Sequence, residues 1–253
     1  MNELTNYLVL KCPDGSESGD LLRFAENAAA NNISVISAAA DSAPLLWSWL
    51  ESYPVQIFAR FDFNSAPDAL AREINASFKR GSAGAIIEIS SENSKGQKDK
   101  RTNGQKEDDK CPSVLLSFCP LYDFVSDFLP IRNDLFFNKK LFIALDIGSI
   151  QPGDWTEIFS QLEKISADGI VLTLSAKDKR TKGQKDNKKC PSDHLSICPY
   201  FVGQVYGFAE SIGNWIGEIY FDLPDAQQNQ NAFRLLEKMR PDLLPRVRFF
   251  IGK

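Results

Sequence analysis

The sequence predicts one α/β domain, spanning residues 1–253, of the (βα)8 (TIM-like) barrel class. Short apolar runs rich in β-branched residues recur along the chain, and amphipathic helical patterns separate them. Each strand–helix unit takes roughly 25 residues once two inserted segments are set aside. Such alternation is typical of parallel βαβ units. A doubly wound open parallel sheet is the alternative, although no G-x-G-x-x-G motif follows the first strand.

Four predicted strands precede the first insertion. They are residues 7–12, 34–38, 55–63 and 85–90, all short apolar runs. The helices between them are residues 20–31, with Ser16 or Ser18 as the cap, residues 44–53, and a third helix. That third helix begins near Ser65 and Pro67 and ends before Gly81.

The second half of the chain continues the alternation. A helical segment at residues 121–136 is interrupted by Pro130, and Asp154 is expected to cap the next helix. The remaining strands are predicted at 141–147, 169–175, 215–223 and 247–251, with helices at 201–211 and 232–239. No eighth helix follows. Either the first and last helices cover that gap, or the chain is a shortened version of a longer barrel.

Strand parity predicts where a site would lie. Alternate residues of a barrel strand point inward, and functional residues gather at the C-terminal strand ends. In the third strand this places Phe58, Arg60 and Asp62 inside. The same alternation places a further set of polar residues inside: Lys11, Glu88, Ser90, Asp146, Thr173, Glu218, Tyr220 and Asp222. We therefore expect a catalytic pocket that involves Lys11, Arg60, Asp62, Glu88, Asp146 and Asp222.

The chemistry available to this pocket is restricted. The only histidine, His194, lies in the second inserted segment, so a Ser–His–Asp triad or a multi-histidine metal site in the barrel is excluded. Several carboxylates buried together need compensating cations. Lys11 and Arg60 could compensate them, or a hard divalent cation such as Mg²⁺ could bind among the acids Asp62, Glu88 and Asp146. The structural alternative is a salt-bridged layer without catalytic function.

Two resemblances to known barrels follow from these residues. Acids at the ends of the third, fourth and fifth strands resemble the metal triad of the enolase superfamily. That resemblance implies a divalent metal ion held by Asp62, Glu88 and Asp146, which would act as a Lewis acid on a substrate carbonyl or carboxylate, with Lys11 as base or charge stabiliser. The phrases SAGAIIEIS and SADGIVLTLS resemble those of barrels that bind flavin or sugar phosphates, which implies a second class of function.

Two nearly identical segments follow the fourth and sixth predicted strands. Residues 98–120 and 177–199 align without a gap, with 16 of 23 positions identical. We interpret residues 95–120 and 177–199 as late insertions, and their polar composition predicts poor ordering. They resemble translated interspersed repeats of bacterial genomes. A thiolate metal or redox module is the alternative, because the segments hold two Cys-x7-Cys pairs: Cys111, Cys119, Cys190 and Cys198.

Charge and hydropathy limit the partners. The net charge is −4, but residues 95–110 and 177–189 are basic and the rest of the chain carries about −11, which argues against nucleic-acid binding. No apolar run reaches the roughly 18 residues of a membrane span, and no secretory signal is present, so a cytoplasmic location is expected. The predicted function is a small-molecule lyase or isomerase that abstracts a proton next to a carbonyl or carboxylate. The alternative is a degenerate, non-catalytic barrel or a binding protein.

Overall fold

The computed structural model shows a closed barrel of eight parallel strands. Each strand pairs with the next one in the sequence, and the last strand pairs with the first. The (βα)8 prediction is therefore confirmed, and the open sheet is excluded. The structure describes residues 8–63, 66–89, 121, 124–130, 138–174 and 199–251.

The strands and helices alternate along the described chain. The strands are β1 Leu8–Lys11, β2 Val35–Ala39, β3 Gln56–Asp62, β4 Gly84–Ile89, β5 Lys140–Asp146, β6 Gly169–Thr173, β7 Glu218–Asp222 and β8 Val247–Ile251. The helices are α1 Ser18–Ala30, α2 Ala43–Leu50, α3 Pro67–Lys79, α4 at residues 124–130, α5 Trp155–Lys164, α6 Pro199–Ser211 and α7 Ala226–Met239. Short 3-10 helices span Ile147–Ser149, Pro152–Asp154 and Pro241–Arg246.

The strands separate two hydrophobic cores. Ile57, Ala59 and Phe61 of β3 belong to the outer core, between the strands and the helices. Phe58 belongs to the inner core, which fills the barrel. The predicted parity of β3 is therefore correct. The other inner-core residues are Val9, Ile86, Phe142, Ala144, Val171, Tyr220 and Phe250.

Large and small residues alternate in the inner core. Phe58 pairs in register with Gly84, and Phe142 pairs with Gly169. The two rings lie with their centroids 4.8 Å apart. A Cβ on Gly169 would lie 2.4 Å from the Phe142 ring, and a Cβ on Gly84 would lie 3.0 Å from Phe58. The glycines thus provide the space that the two phenylalanine rings occupy.

The bounds of α7 and β7 add to the prediction or correct it. The residues 232–239 predicted as helical lie in α7, which begins at Ala226 because the Asp225 side chain accepts a hydrogen bond from the backbone N–H of Gln228 at 2.7 Å and caps the helix. The polar first turns of α7 concealed its amphipathic pattern. β7 begins at Glu218 rather than at Trp215, whose buried ring packs instead on Phe159 of α5.

The predicted helix caps were also only partly correct. Asp154 is the N-cap of α5, but its side chain makes no capping hydrogen bond. The N-cap of α1 is Glu17, which lies between the predicted Ser16 and Ser18. In α3, Pro67 is the first helical residue, as predicted, and fits the helix start because its missing N–H would lack an intrahelical partner there.

The barrel wall at the junction of β8 and β1 is covered by helices. Phe249 of β8 and Leu10 of β1 point outward and are buried. Phe233 of α7 contacts the Phe249 ring, and Leu21 and Phe24 of α1 belong to the same core cluster as Leu10. The first and last helices therefore bury this part of the wall.

The inserted segments lie outside the described residues, except that Pro199 begins α6. Their expected poor ordering, their origin and the cysteine module stay predictions. Within the described ranges, no helix combines the length and the apolar character that crossing a membrane requires.

Candidate active site

Lys11 and Asp222 form an ion pair at the C-terminal mouth of the barrel. Each is the last residue of its strand, β1 and β7. Strand β8 separates these two strands, so the pair bridges the mouth across one intervening strand. The lysine side chain is 29% exposed and the aspartate side chain 18% exposed, so both charges stand at the edge of the apolar interior.

Arg60 of β3 lies at the centre of a second set of charges. Its side chain is only 9% exposed. Its guanidinium forms an ion pair with Asp14 of the loop after β1, and its Nη2 donates to the carbonyl of Cys12 at 3.2 Å. Its Nη1 lies 3.6 Å from Oε1 of Glu88. The guanidinium thus connects the ends of β1, β3 and β4.

Glu88 is the acid whose protonation the site alters most clearly. Burial raises its pKa above the ordinary glutamate value, the Arg60 and Lys11 charges lower it, and the Asp62 and Asp14 charges raise it. The net shift is upward. Asp62 is its register neighbour on β3. A carboxyl group with a raised pKa holds a proton closer to neutral pH, which suits proton transfer.

Asp146 lies at the end of β5, as predicted, but its carboxylate contributes to its own loop. It accepts a hydrogen bond from the backbone N–H of Gly148 at 2.9 Å and caps a short 3-10 helix. Thr173 pairs in register with both Asp146 and Asp222 and donates its hydroxyl to the carbonyl of Leu145 at 3.2 Å. Asp146 therefore has a structural role beside any chemical one.

The proposed metal ligands Asp62, Glu88 and Asp146 do lie at the C-terminal ends of three consecutive strands. Across the part of the chain that the structure describes, however, no three His, Cys, Asp or Glu side chains are grouped so that they could hold a metal ion. The Arg60 guanidinium already provides a positive charge beside Glu88. Binding of Mg²⁺ stays a prediction.

Glu218 and Tyr220 point inward, as predicted, but they do not reach this mouth. Glu218 is the first residue of β7, at the N-terminal end of the barrel, where it pairs with Lys140. The Tyr220 hydroxyl donates to Glu218 Oε2 at 2.6 Å. Burial is the main cause that raises the pKa of Tyr220. These residues form a structural network at the opposite end of the barrel. Ser90 lies outside the described residues.

Asp14 is the site residue that sequence reasoning missed. It stands in the stretch Cys-Pro-Asp-Gly-Ser, whose composition is typical of a turn. The structure does show a turn there, with Gly15 at a φ of +68° and the Ser16 hydroxyl donating to the Pro13 carbonyl at 2.9 Å. Its partner Arg60 is 46 residues away in the sequence, so no local pattern could indicate the contact.

Several solved structures similar to this chain carry aldolase names, whereas no protein-family model and no curated protein matches it. A Toxoplasma gondii ME49 protein with the provisional name deoxyribose-phosphate aldolase superposes with a TM-score of 0.65 at 14% identity, over 99% of this chain and 89% of that one. A protein described as "QR15, an Aldolase" gives a TM-score of 0.63 at 11% identity, over 99% and 91%. Deoxyribose phosphate aldolase from Aeropyrum pernix gives 0.61 at 7% identity, over 99% and 86%. At these identities the likeness establishes the fold: the chain is a TIM barrel.

Proposed function

We propose that the protein is a lyase for small molecules that removes a proton from a carbon next to a carbonyl or carboxylate. The observation that carries the proposal is Glu88, a half-buried carboxyl group with a raised pKa, placed between two cations, Arg60 and Lys11, at the barrel mouth. The aldolase names of the similar barrels support a lyase in this class, because aldolases also cleave bonds next to a carbonyl.

The residues have complementary roles in such a reaction. The Glu88 carboxylate takes the proton, and the electron pair of the broken C–H bond moves toward the substrate's carbonyl oxygen, which becomes an enolate oxygen. Arg60 and Lys11 stabilise that negative charge. In a lyase the electron pair then returns and expels a leaving group from the neighbouring carbon. In the isomerase version no group leaves. Where the carbon that loses its proton carries a hydroxyl group, the intermediate is an enediolate, and Glu88 returns the proton to the former carbonyl carbon while that hydroxyl becomes the new carbonyl.

The test is proton exchange with solvent. Pyruvate and related 2-oxo acids, incubated with the protein in D₂O, should lose their C–H signals in proton NMR faster than without protein. Glu88→Gln should reduce this rate at least about 100-fold, since general-base catalysis contributes roughly 10²–10⁴. Glu73→Gln, an exposed acid on the outside of α3, is the matched control and should leave the rate unchanged.

The pH dependence adds an independent criterion. Because burial raises the pKa of Glu88, its base form is lost at a higher pH than for an ordinary glutamate. The exchange rate should therefore rise with pH through that raised pKa and then level off. A rate that is the same in the wild type and in Glu88→Gln would overturn the proposed role of Glu88.

The metal-assisted version is tested in the same assay. If Asp62, Glu88 and Asp146 bind Mg²⁺, then Mg²⁺ should raise both the exchange rate and the melting temperature, and Asp146→Asn should abolish the rise. Equal rates with Mg²⁺ and with EDTA would contradict the metal-assisted version and leave the metal-free one.

One observation favours the alternative of a non-catalytic barrel. Both site cations already have carboxylate partners, Lys11 with Asp222 and Arg60 with Asp14. A purely structural network would look the same, and it predicts no exchange with any 2-oxo acid.

The flavin or sugar-phosphate alternative is less favoured, because Asp222 and Asp225 place negative charge where β7 ends.

A further inference from the structure

Two carboxylates face the Arg60 guanidinium, and they differ in exposure. Glu88 comes from the barrel wall, whereas Asp14 belongs to the loop after β1 and its side chain is 69% exposed. Arg60 itself is 91% buried, since its side chain is 9% exposed. The cation is thus held in the wall, while one of its anionic partners stands in solvent.

The contacts of Asp14 match those of a bound carboxylate. Both of its oxygens face the guanidinium: Oδ1 pairs with Nη2, and Oδ2 lies 3.4 Å from Nη1. This two-oxygen arrangement is the one by which arginine recognises carboxylates. The Cys12 carbonyl fixes the orientation of Nη2 at 3.2 Å. The buried Nε has no hydrogen-bond partner among the described residues, so the guanidinium retains a further donor.

We propose that Arg60 binds the carboxylate of the substrate and that Asp14 occupies the position which this carboxylate takes. The inference deepens the proposed function and rests on it, because it names the substrate class as small acids with a carbonyl next to the carboxylate. The loop carboxylate would move into solvent when the substrate binds. Such a move costs little, because the exposed Asp14 carboxylate is hydrated in solvent and the substrate carboxylate takes its place at Arg60.

The charges at the mouth favour a substrate carboxylate that replaces Asp14 at Arg60 over one that binds in addition to Asp14. The mouth already holds the acids Asp62, Glu88 and Asp222 besides Asp14, against the cations Arg60 and Lys11. A further anion beside all four acids would be repelled. Replacement of Asp14 by a substrate carboxylate leaves the charge at Arg60 unchanged.

The position also suits the proposed chemistry. Glu88 Oε1 lies 3.6 Å from Arg60 Nη1, so a carboxylate held by the guanidinium brings its adjoining carbons close to Glu88. Lys11 is near enough for its charge to lower the pKa of Glu88, and it could contact the carbonyl oxygen of the same molecule. Arg60 would then determine which molecules enter, and Glu88 would act on them.

Binding measurements on the full chain test the inference separately from turnover. The probes are pyruvate, its uncharged methyl ester and inorganic phosphate, with dissociation constants from titration calorimetry. Asp14→Asn should tighten pyruvate binding by about two- to fivefold, because the substrate no longer competes with the charge of a solvent-exposed carboxylate for Arg60. Arg60→Lys should weaken it by about tenfold or more, because lysine lacks the two-pronged geometry. Asp41→Asn is the matched control, an exposed aspartate in the loop after β2.

The binding results distinguish the proposed roles of Arg60 and Asp14 from the alternatives. Tighter pyruvate binding in Asp14→Asn alone, with the methyl ester unaffected, supports the inference. Equal affinities in the wild type, Asp14→Asn and Asp41→Asn would overturn it, as would an ester that binds as tightly as pyruvate. A gain for phosphate instead of pyruvate would overturn the carboxylate assignment. Pyruvate binding in the expected pattern without any proton exchange would refute the proposed function and leave the binding role of Arg60 intact.

Discussion

Tyr220 connects the aromatic interior of the barrel to the charged network at its N-terminal end. Its ring lies edge-on to Phe142 at 5.1 Å and packs on Phe250 at 5.6 Å between centroids. Its hydroxyl donates to Glu218 at 2.6 Å, and the residue is 2% exposed. A single residue therefore combines an apolar role with a polar one, and the two can be separated experimentally.

Tyr220→Phe should lower the free energy of unfolding by about 1 kcal/mol, because it removes one buried hydrogen bond and keeps the ring. Urea denaturation at neutral pH measures the change. Tyr206→Phe is the matched control: this tyrosine is 51% exposed on α6, and the same substitution there should alter the stability by less than about 0.5 kcal/mol. Equal effects in the two variants would mean that the bond to Glu218 contributes nothing.

At the scale of elements, the glycines of β4 and β6 determine how the strands enclose the phenylalanines. Gly169 should be the more sensitive of the two, since a Cβ there would lie 2.4 Å from the Phe142 ring and 2.7 Å from the Glu218 carbonyl. The backbone carbonyl cannot move away without disturbing the β6–β7 ladder. Strand pairing and side-chain packing are thus coupled at this position.

Gly169→Ala should destabilise the barrel by about 1–3 kcal/mol through overpacking. The control is Gly203→Ala in α6, where a Cβ meets nothing within 4 Å. That variant should be as stable as the wild type or more stable by up to about 1 kcal/mol, because alanine has a higher helix propensity than glycine. Thermal unfolding followed by circular dichroism compares them. A neutral Gly169→Ala would contradict the close packing of β6 on Phe142.

For the whole molecule, the continuous pairing of the strands predicts that the barrel folds without the two repeated segments. The strands β4, β5, β6 and β7 pair with one another in continuous register, although a segment follows β4 and another follows β6. Long loops cost a barrel little free energy, because the entropy of loop closure grows slowly with length. The core is therefore expected to form without them.

A chain without residues 95–120 and 177–198 should fold with the same circular dichroism spectrum and a melting temperature within a few degrees of the wild type. This deletion ends before Pro199, because α6 begins there. Chains with one deletion each serve as controls. Loss of cooperative unfolding, or loss of bound zinc from the purified protein, would contradict the interpretation and favour the thiolate module.

Strand parity could be read from the sequence because the period is two and one face of every strand is packed on the outer core. Arg60 and Glu88 were placed at the mouth by that pattern alone, and the structure agrees. The same pattern could not tell which end of a strand a residue occupies without its true boundary. The strand was predicted to begin at residue 215, so Glu218 was expected in its middle, whereas it is the first residue of β7.

The sequence by itself determined the alternation of strands and helices, the inward face of each strand and the charged residues at the strand ends, although not Asp14 of the loop after β1. These are local properties, set by periodicity and by the residue types that a barrel wall requires. The pairing of the charges was decided only by the tertiary arrangement of the strands. Closure of the barrel through the β8–β1 pairing brings Lys11 to Asp222 across 211 residues, and the order β1–β2–β3 brings Asp14 to Arg60 across 46. No local pattern contains such partners, because contacts at this range depend on where the closed sheet brings the strand ends.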